Sequence, residues 1–132
     1  MAGVYVDTSV MGRVLLGEPD SAAILDAIGT YETRAASRLL RVELLRLALR
    51  HDVVAQAEQL LSGLALLPVD QDTLTAAETI DPHEVATLDA IHLVTALRLA
   101  HAGHVDAVMT YDKRLVAGAS HHGLAVTSPG AP

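Results

Sequence analysis

Asp89 is a carboxylate in apolar company. It lies in Thr87-Leu88-Asp89-Ala90-Ile91-His92-Leu93, and on a helix at about 100° per residue it shares a face with Ala86, Leu93, Ala96 and Ala100. Arg98, the strong charge of that stretch, points nearly the other way. A carboxylate on a core-facing stripe must be protonated, paired or bound to a metal, because burying it alone costs several kcal/mol. Metal or catalytic duty is one outcome; capping another helix or pairing with an Arg is the other. Glu43, in Arg41-Val42-Glu43-Leu44-Leu45-Arg46, sits at the edge of an apolar face near Leu40 and Leu47, within reach of Arg46 and Arg50. It stands open between a site residue and a surface ion pair worth ~0–1 kcal/mol.

Asp7 directly follows the apolar run Val4-Tyr5-Val6, and Asp112 follows Ala107-Val108-Met109-Thr110-Tyr111. Singly, each is an ordinary turn or N-cap residue. Brought to one crevice with Glu43 and Asp89, they would repel one another and would not all ionise without cations. Hard divalent ions with oxygen ligands resolve this, Mg²⁺ or Mn²⁺ before others. The chemistry implied is metal-assisted phosphodiester hydrolysis, with Thr8, Ser9 and Thr110 placed to hold a water or the carboxylates by hydrogen bonds.

The elements that must do the positioning alternate along the chain. Strands are expected at Val4–Val6, Ala65–Val69, Ala107–Thr110 and Leu124–Thr127, with Arg34–Ser37 a weaker fifth. Helical patterns cover Val10–Leu16, Ser21–Thr30, Arg38–Arg50, Val53–Leu64, Gln71–Thr79, Thr87–Ala102 and Lys113–Ser120, with Thr8 or Ser9, Asp20 or Ser21, and Asp52 where N-caps are wanted. Strands separated by helices need right-handed crossovers. The expectation is a three-layer α/β/α sandwich around a mostly parallel sheet of about five strands. Ligands then bind beyond the carboxyl ends of the strands where strand order reverses. If the strands before Asp7 and Asp112 are neighbours there, the two carboxylates meet.

Composition sets the outer bounds. The 132 residues suit one domain, expected over residues 1–127, with 128–132 (Ser-Pro-Gly-Ala-Pro) a disordered tail. Apolar residues make up 51%, Gly not counted, which excludes a disordered chain. Without Cys there is no disulfide framework and no thiolate chemistry. No signal-peptide pattern or membrane span fits, so a cytoplasmic location is expected. Trp and Phe are absent and Tyr numbers 3, so aromatic base-stacking platforms are hard to build. A mean hydropathy of +0.35 in so small a chain points to apolar surface covered by another chain. No Gly-rich phosphate loop occurs. His92, on an apolar helix, reads as a packing residue, and His101 and His104 as answers to a helix dipole.

Val4-Tyr5-Val6-Asp7-Thr8-Ser9, Arg41-Val42-Glu43-Leu44-Leu45-Arg46, Thr87-Leu88-Asp89-Ala90-Ile91-His92-Leu93 and Thr110-Tyr111-Asp112-Lys113-Arg114-Leu115 resemble, in order, the four acidic motifs of PIN domains. More narrowly they resemble the VapC-type toxins of bacterial toxin–antitoxin pairs, over Val4 to about Val126. The resemblance implies an endoribonuclease dependent on Mg²⁺ or Mn²⁺, restrained by a small cognate antitoxin and present as a homodimer or in a hetero-oligomer with that antitoxin. It makes Asp7 and Asp89 the principal metal ligands, with Glu43 and Asp112 completing the acidic pocket and Ser9 and Thr110 lining it.

A chain of net charge -7 is no indiscriminate nucleic-acid binder, but distribution counts for more than the sum. Arg34, Arg38, Arg41, Arg46 and Arg50 supply five of the nine basic residues, and Arg13 and Arg114 lie close in sequence to Asp7 and Asp112. Arg13 and Arg114 are candidates for substrate phosphate contact; the alternative is a solvated face or pairing with an acidic partner. Two rival functions remain: a phosphoacceptor or phosphatase domain with Asp7 as nucleophile, against which stands the absence of a second acid beside Asp7, and a non-catalytic PIN-like binding module, against which stand the intact acids. Helices near Ile24–Ile28 and Leu39–Leu49 are the candidate antitoxin contacts.

Overall fold

Val4, Tyr5 and Val6 have no exposed surface, as a strand covered on both faces requires. Their side chains alternate between two cores. Val4 and Val6 join Val10, Met11, Ile24, Ile28, Leu40 and Leu44; Tyr5 joins Leu93, Ala96, Leu99, Val108 and Leu115. The computed structural model describes residues 2–131, in which a single sheet separates these two cores.

The strands are β1 (Gly3–Val6), β2 (Thr33–Ser37), β3 (Ala65–Leu67), β4 (Ala107–Met109) and β5 (Ala125–Thr127), all parallel, in the order β3-β2-β1-β4-β5. The helices are α1 (Thr8–Leu15), α2 (Ser21–Gly29), α3 (Arg38–His51), α4 (Val54–Leu61), α5 (Gln71–Ala77), α6 (Thr87–His101) and α7 (Lys113–His121). Residues of α1 to α4 build the first core and those of α6 and α7 the second, so the three-layer sandwich is as expected. None of the described helices is long and apolar enough to cross a membrane.

From β1 the chain winds outward through β2 to β3, then returns to the other side of β1 for β4 and β5. The reversal falls between β1 and β4, paired with Val6 opposite Met109. That register brings the residues just after the two strands together, and Asp7 N–H donates to Met109 O at 3.1 Å. β2 is the immediate partner of β1 despite its weak strand signal.

Two local expectations change. Asp7, not Thr8 or Ser9, caps α1, and Asp52 closes α3 in the left-handed conformation, φ 55°, while Val53 precedes α4 without a side-chain cap. At the foot of β1, a side chain at Gly3 would put its Cβ 1.9 Å from the backbone oxygen of His104. Beyond β5, Ser128 Oγ donates to Thr110 O and the Tyr111 hydroxyl donates to Pro129 O; Pro132 of the expected tail lies outside the described residues.

Candidate active site

Period two along β1 sets Tyr5 and the residue after the strand, Asp7, on the side of the sheet that α6 covers. Period 3.6 along α6 sets Asp89 and His92, three residues apart, on one face. These two rules, with the β1–β4 register, build most of the crevice.

Asp7 is 4% exposed. Its Oδ2 accepts hydrogen bonds from Ser9 Oγ and Thr110 Oγ1, each at 2.8 Å, and from Ser9 N at 3.4 Å. The two hydroxyls are themselves fixed, because Ser9 Oγ accepts from Tyr111 N at 3.0 Å and Thr110 Oγ1 from Asp112 N at 3.0 Å. Asp112 caps α7 through Oδ1, which accepts from Arg114 N at 2.8 Å and Leu115 N at 3.1 Å. The N-cap role and a place at the crevice coexist in both aspartates.

Glu43 reaches the crevice from α3. Its Oε1 accepts from Thr8 Oγ1 at 2.7 Å and lies 2.8 Å from His92 Nε2. The surface ion pair with Arg46 or Arg50 does not form, because the half-buried carboxylate turns inward while both arginines stay exposed. Burial alone would raise the Glu43 pKa, but hydrogen bonds from His92 and Thr8 hold it below the usual value.

Asp89 makes no comparable hydrogen bonds among the described residues. Burial, then the negative charges of Asp112 and Asp7, with a smaller push from Glu43, raise its pKa to about 6 against the pull of His92. All three other acids act on this one carboxyl, which is the electrostatic sign of convergence. Asp7, Glu43 and Asp112 share a further trait: the chain engages one oxygen of each and leaves Oδ1, Oε2 and Oδ2 without a hydrogen-bond partner among the described residues. As the side chains stand, no three His, Asp or Glu groups among the described residues are drawn in tightly enough to grip one ion. The donor set, all hard oxygens with half of each held carboxylate free, nevertheless fits a hard divalent cation that keeps several waters.

The two flanking arginines differ. Arg114 is exposed in the first turn of α7. Arg13 pairs with Asp20 at 3.0 Å and stacks 4.1 Å from the Tyr111 ring centre, which ties it to the crevice rim. A cavity of about 450 Å³ between α5 and the start of α6, floored by Leu74, Ile80, Val85 and Ile91, is lined by none of the four acids.

His92 and Tyr5 are the residues that sequence reasoning missed. His92, 1% exposed, is a packing residue as expected, yet it also lies 2.8 Å from Glu43, 3.7 Å from Asp7 Oδ1 and 2.6 Å, through Nδ1, from the Tyr5 hydroxyl. The signal was present in the three-residue spacing from Asp89 and the two-residue spacing from Tyr5 to Asp7.

Residues 4–119 match the family model described as PIN domain. Among curated proteins, the chain is 37% identical to Ribonuclease VapC47 of Mycobacterium tuberculosis, over 97% of this chain and 98% of that protein. It is also 37% identical to Ribonuclease VapC46 of the same species, over 98% and 99%. Among solved structures, a toxin–antitoxin complex from Klebsiella pneumoniae superposes with a TM-score of 0.75 at 18% identity, covering 98% and 99% of the two chains. Mycobacterium tuberculosis VapC20, a toxin that cleaves the sarcin–ricin loop, superposes at 0.69 and 18%, covering 96% and 99%.

Proposed function

The chain belongs to the PIN domain family, and from that premise we propose that it is an endoribonuclease dependent on Mg²⁺ or Mn²⁺, the toxin of a toxin–antitoxin pair acting in the cytoplasm. The relatives that match nearly end to end carry the name ribonuclease. One observation carries the reading to this chain's own residues: the carboxyl of Asp89 is half-buried in the field of Asp112, Asp7 and Glu43.

Asp7, Glu43, Asp89 and Asp112 would hold the cation. Bound there, Mg²⁺ or Mn²⁺ supplies an acidified water and offsets charge on the scissile phosphate. The chain's own work is positional. Ser9 and Thr110 hold Asp7 by Oδ2, Thr8 and His92 hold Glu43 by Oε1, and the backbone at the start of α7 holds Asp112 by Oδ1. Preorganised oxygens need no reordering when the substrate arrives. Arg114, exposed beside Asp112, serves as a contact for the RNA backbone.

The partners in this reading are RNA, a cognate antitoxin and a second toxin subunit. Leu25 on α2 and Val42 and Leu49 on α3 are each at least half exposed, while Ile24, Ile28, Leu40 and Leu44 are buried in the chain's own core. The apolar faces offered to another chain are thus narrower than the two helical segments as a whole.

Purified protein, folded and free of antitoxin, tests the reading on a mixed pool of tRNA and ribosomal RNA with Mg²⁺, with Mn²⁺ and with excess EDTA, alongside Asp7→Ala. Discrete cuts that need metal and vanish in the variant are expected. Absence of cleavage under either metal would favour a PIN-like binding module instead.

A further inference from the structure

His92 Nε2 is surrounded by acceptors. Glu43 Oε1 stands 2.8 Å away, Asp7 Oδ1 3.7 Å, and Thr8 Oγ1 3.4 Å, the last donating its O–H to Glu43 at 2.7 Å and so facing His92 with lone pairs. A bare nitrogen among those oxygens would be repelled by every one, so Nε2 carries hydrogen. The requirement holds for the neutral and the charged ring alike. On the opposite edge, Nδ1 meets the Tyr5 hydroxyl at 2.6 Å. The Tyr5 phenol is wholly buried, and a phenol carries its hydrogen at neutral pH. In the neutral ring that O–H donates to Nδ1 and leaves Nε2 as the N–H. Tyr5 is wholly buried and His92 nearly so, the two rings meeting edge to face at 5.9 Å between centres. Neither side chain has room to swing away.

We propose that His92 is a positioning residue of this site: its Nε2–H, aimed by the Tyr5 hydroxyl on Nδ1, clamps Oε1 of Glu43 and thereby turns Oε2 into the acidic crevice. With two donors on Oε1, from Thr8 and His92, Glu43 has one oxygen left to offer. Asp7 is treated alike by Ser9 and Thr110, but from β1 and β4. The clamp on Glu43 is the longer one, running from β1 through α6 to α3, and it locks the sheet, the central helix and the outer helix to one carboxylate. A hydrogen-bond partner that orients a ligand in this manner changes metal affinity by about 10–100-fold when removed.

The proposal rests on the nuclease reading for its consequence, but its geometry is read separately. Nitrogen-15-labelled histidine in the metal-free protein, followed by long-range proton–nitrogen NMR correlations, reports which ring nitrogen of His92 bears hydrogen. Hydrogen on Nε2, with or without a second on Nδ1, is expected; a bare Nε2 overturns the clamp whatever the protein's activity. Calorimetric titration with Mn²⁺ reads the consequence. His92→Leu, its fold checked by circular dichroism, is expected to lose about 10–100-fold in affinity. His92→Gln, whose amide nitrogen reaches about as far from the backbone as Nε2, is expected to regain most of that, and Tyr5→Phe to lose less than the Leu variant. Unchanged affinity in folded His92→Leu, or a Gln variant no better than Leu, overturns the proposal. Wild-type protein that binds no Mn²⁺ defeats the nuclease reading, and the NMR result then decides the clamp alone.

Discussion

Thr110 Oγ1 donates to Asp7 Oδ2 at 2.8 Å across the boundary between β1 and β4 while accepting from Asp112 N at 3.0 Å. One fully buried hydroxyl thus sets the first acid of the crevice and the backbone of the last. Thr110→Val keeps the shape and removes both bonds. The expected cost is about 1–3 kcal/mol of stability, from a buried N–H and a carboxylate left short of partners, together with a loss of cleavage larger than the stability loss explains. Chemical denaturation and single-turnover RNA cleavage on the same preparation separate the two effects.

Asp89→Asn should stabilise the metal-free protein. The folded pKa of Asp89, about 6, stands above the ordinary aspartate value of 3.8, so the unfolded chain ionises first and the folded state loses stability as pH rises from about 4 to 6. Above that window the wild type carries the full penalty. Discounted for solvent screening of a group only partly buried, the gain in the variant is on the order of 1 kcal/mol near neutral pH. Melting in EDTA at a series of pH values should show the variant's advantage shrinking toward pH 4, and a constant advantage would remove Asp89 as its source. Cleavage by the variant should be lost.

Replacing Glu43 by Gln keeps the volume and the Thr8 and His92 neighbours but withdraws the charge. Cleavage should fall further than the ~10–100-fold typical of losing an orienting partner, with melting temperature little changed. Activity within tenfold of wild type would remove Glu43 from the acidic set.

The two arginines at the rim should separate by assay. Arg114→Ala is expected to weaken RNA binding and to flatten its salt dependence, measured by fluorescence anisotropy over a salt series, with stability unaltered. Arg13→Ala should instead lower stability by about 1 kcal/mol, since it releases Asp20 and uncovers the Tyr111 ring.

Gly3→Ala is expected to be among the most damaging single-methyl additions. Its Cβ would fall 1.9 Å from the His104 carbonyl oxygen, a backbone atom held by the turn into β4. The strain should reach or exceed the ~1–3 kcal/mol usual for overpacking, read as a lowered denaturation midpoint.

The layers and most element positions were legible in the chain because helices and strands alternate with clear periods. β2 was the weak case: Thr33-Arg34-Ala35-Ala36-Ser37 has little β-branched character, and its three final residues are buried by position in the sheet rather than by their own hydrophobicity. Asp7 and Asp112 were placed by a rule about strand ends, conditional on two strands being neighbours, and that adjacency belongs to the fold. Glu43 could not be decided from periodicity, since its helix runs past both a plausible surface cation and the crevice. What settled its orientation was a hydroxyl at Thr8 and an imidazole at His92, 35 and 49 residues away. His92 itself was hidden by its own success as a buried side chain.

The neighbours β1 and β4 are far apart in the chain, with Asp7 and Thr110 standing 103 residues apart. Synthesis makes one wall of the crevice well before the other. A nascent chain halted before Thr110 has Asp7, Glu43 and Asp89 but lacks the strand that fixes Asp7 and the last acid. This ordering defers assembly of the crevice until the fourth acid and the strand that fixes the first have both been made.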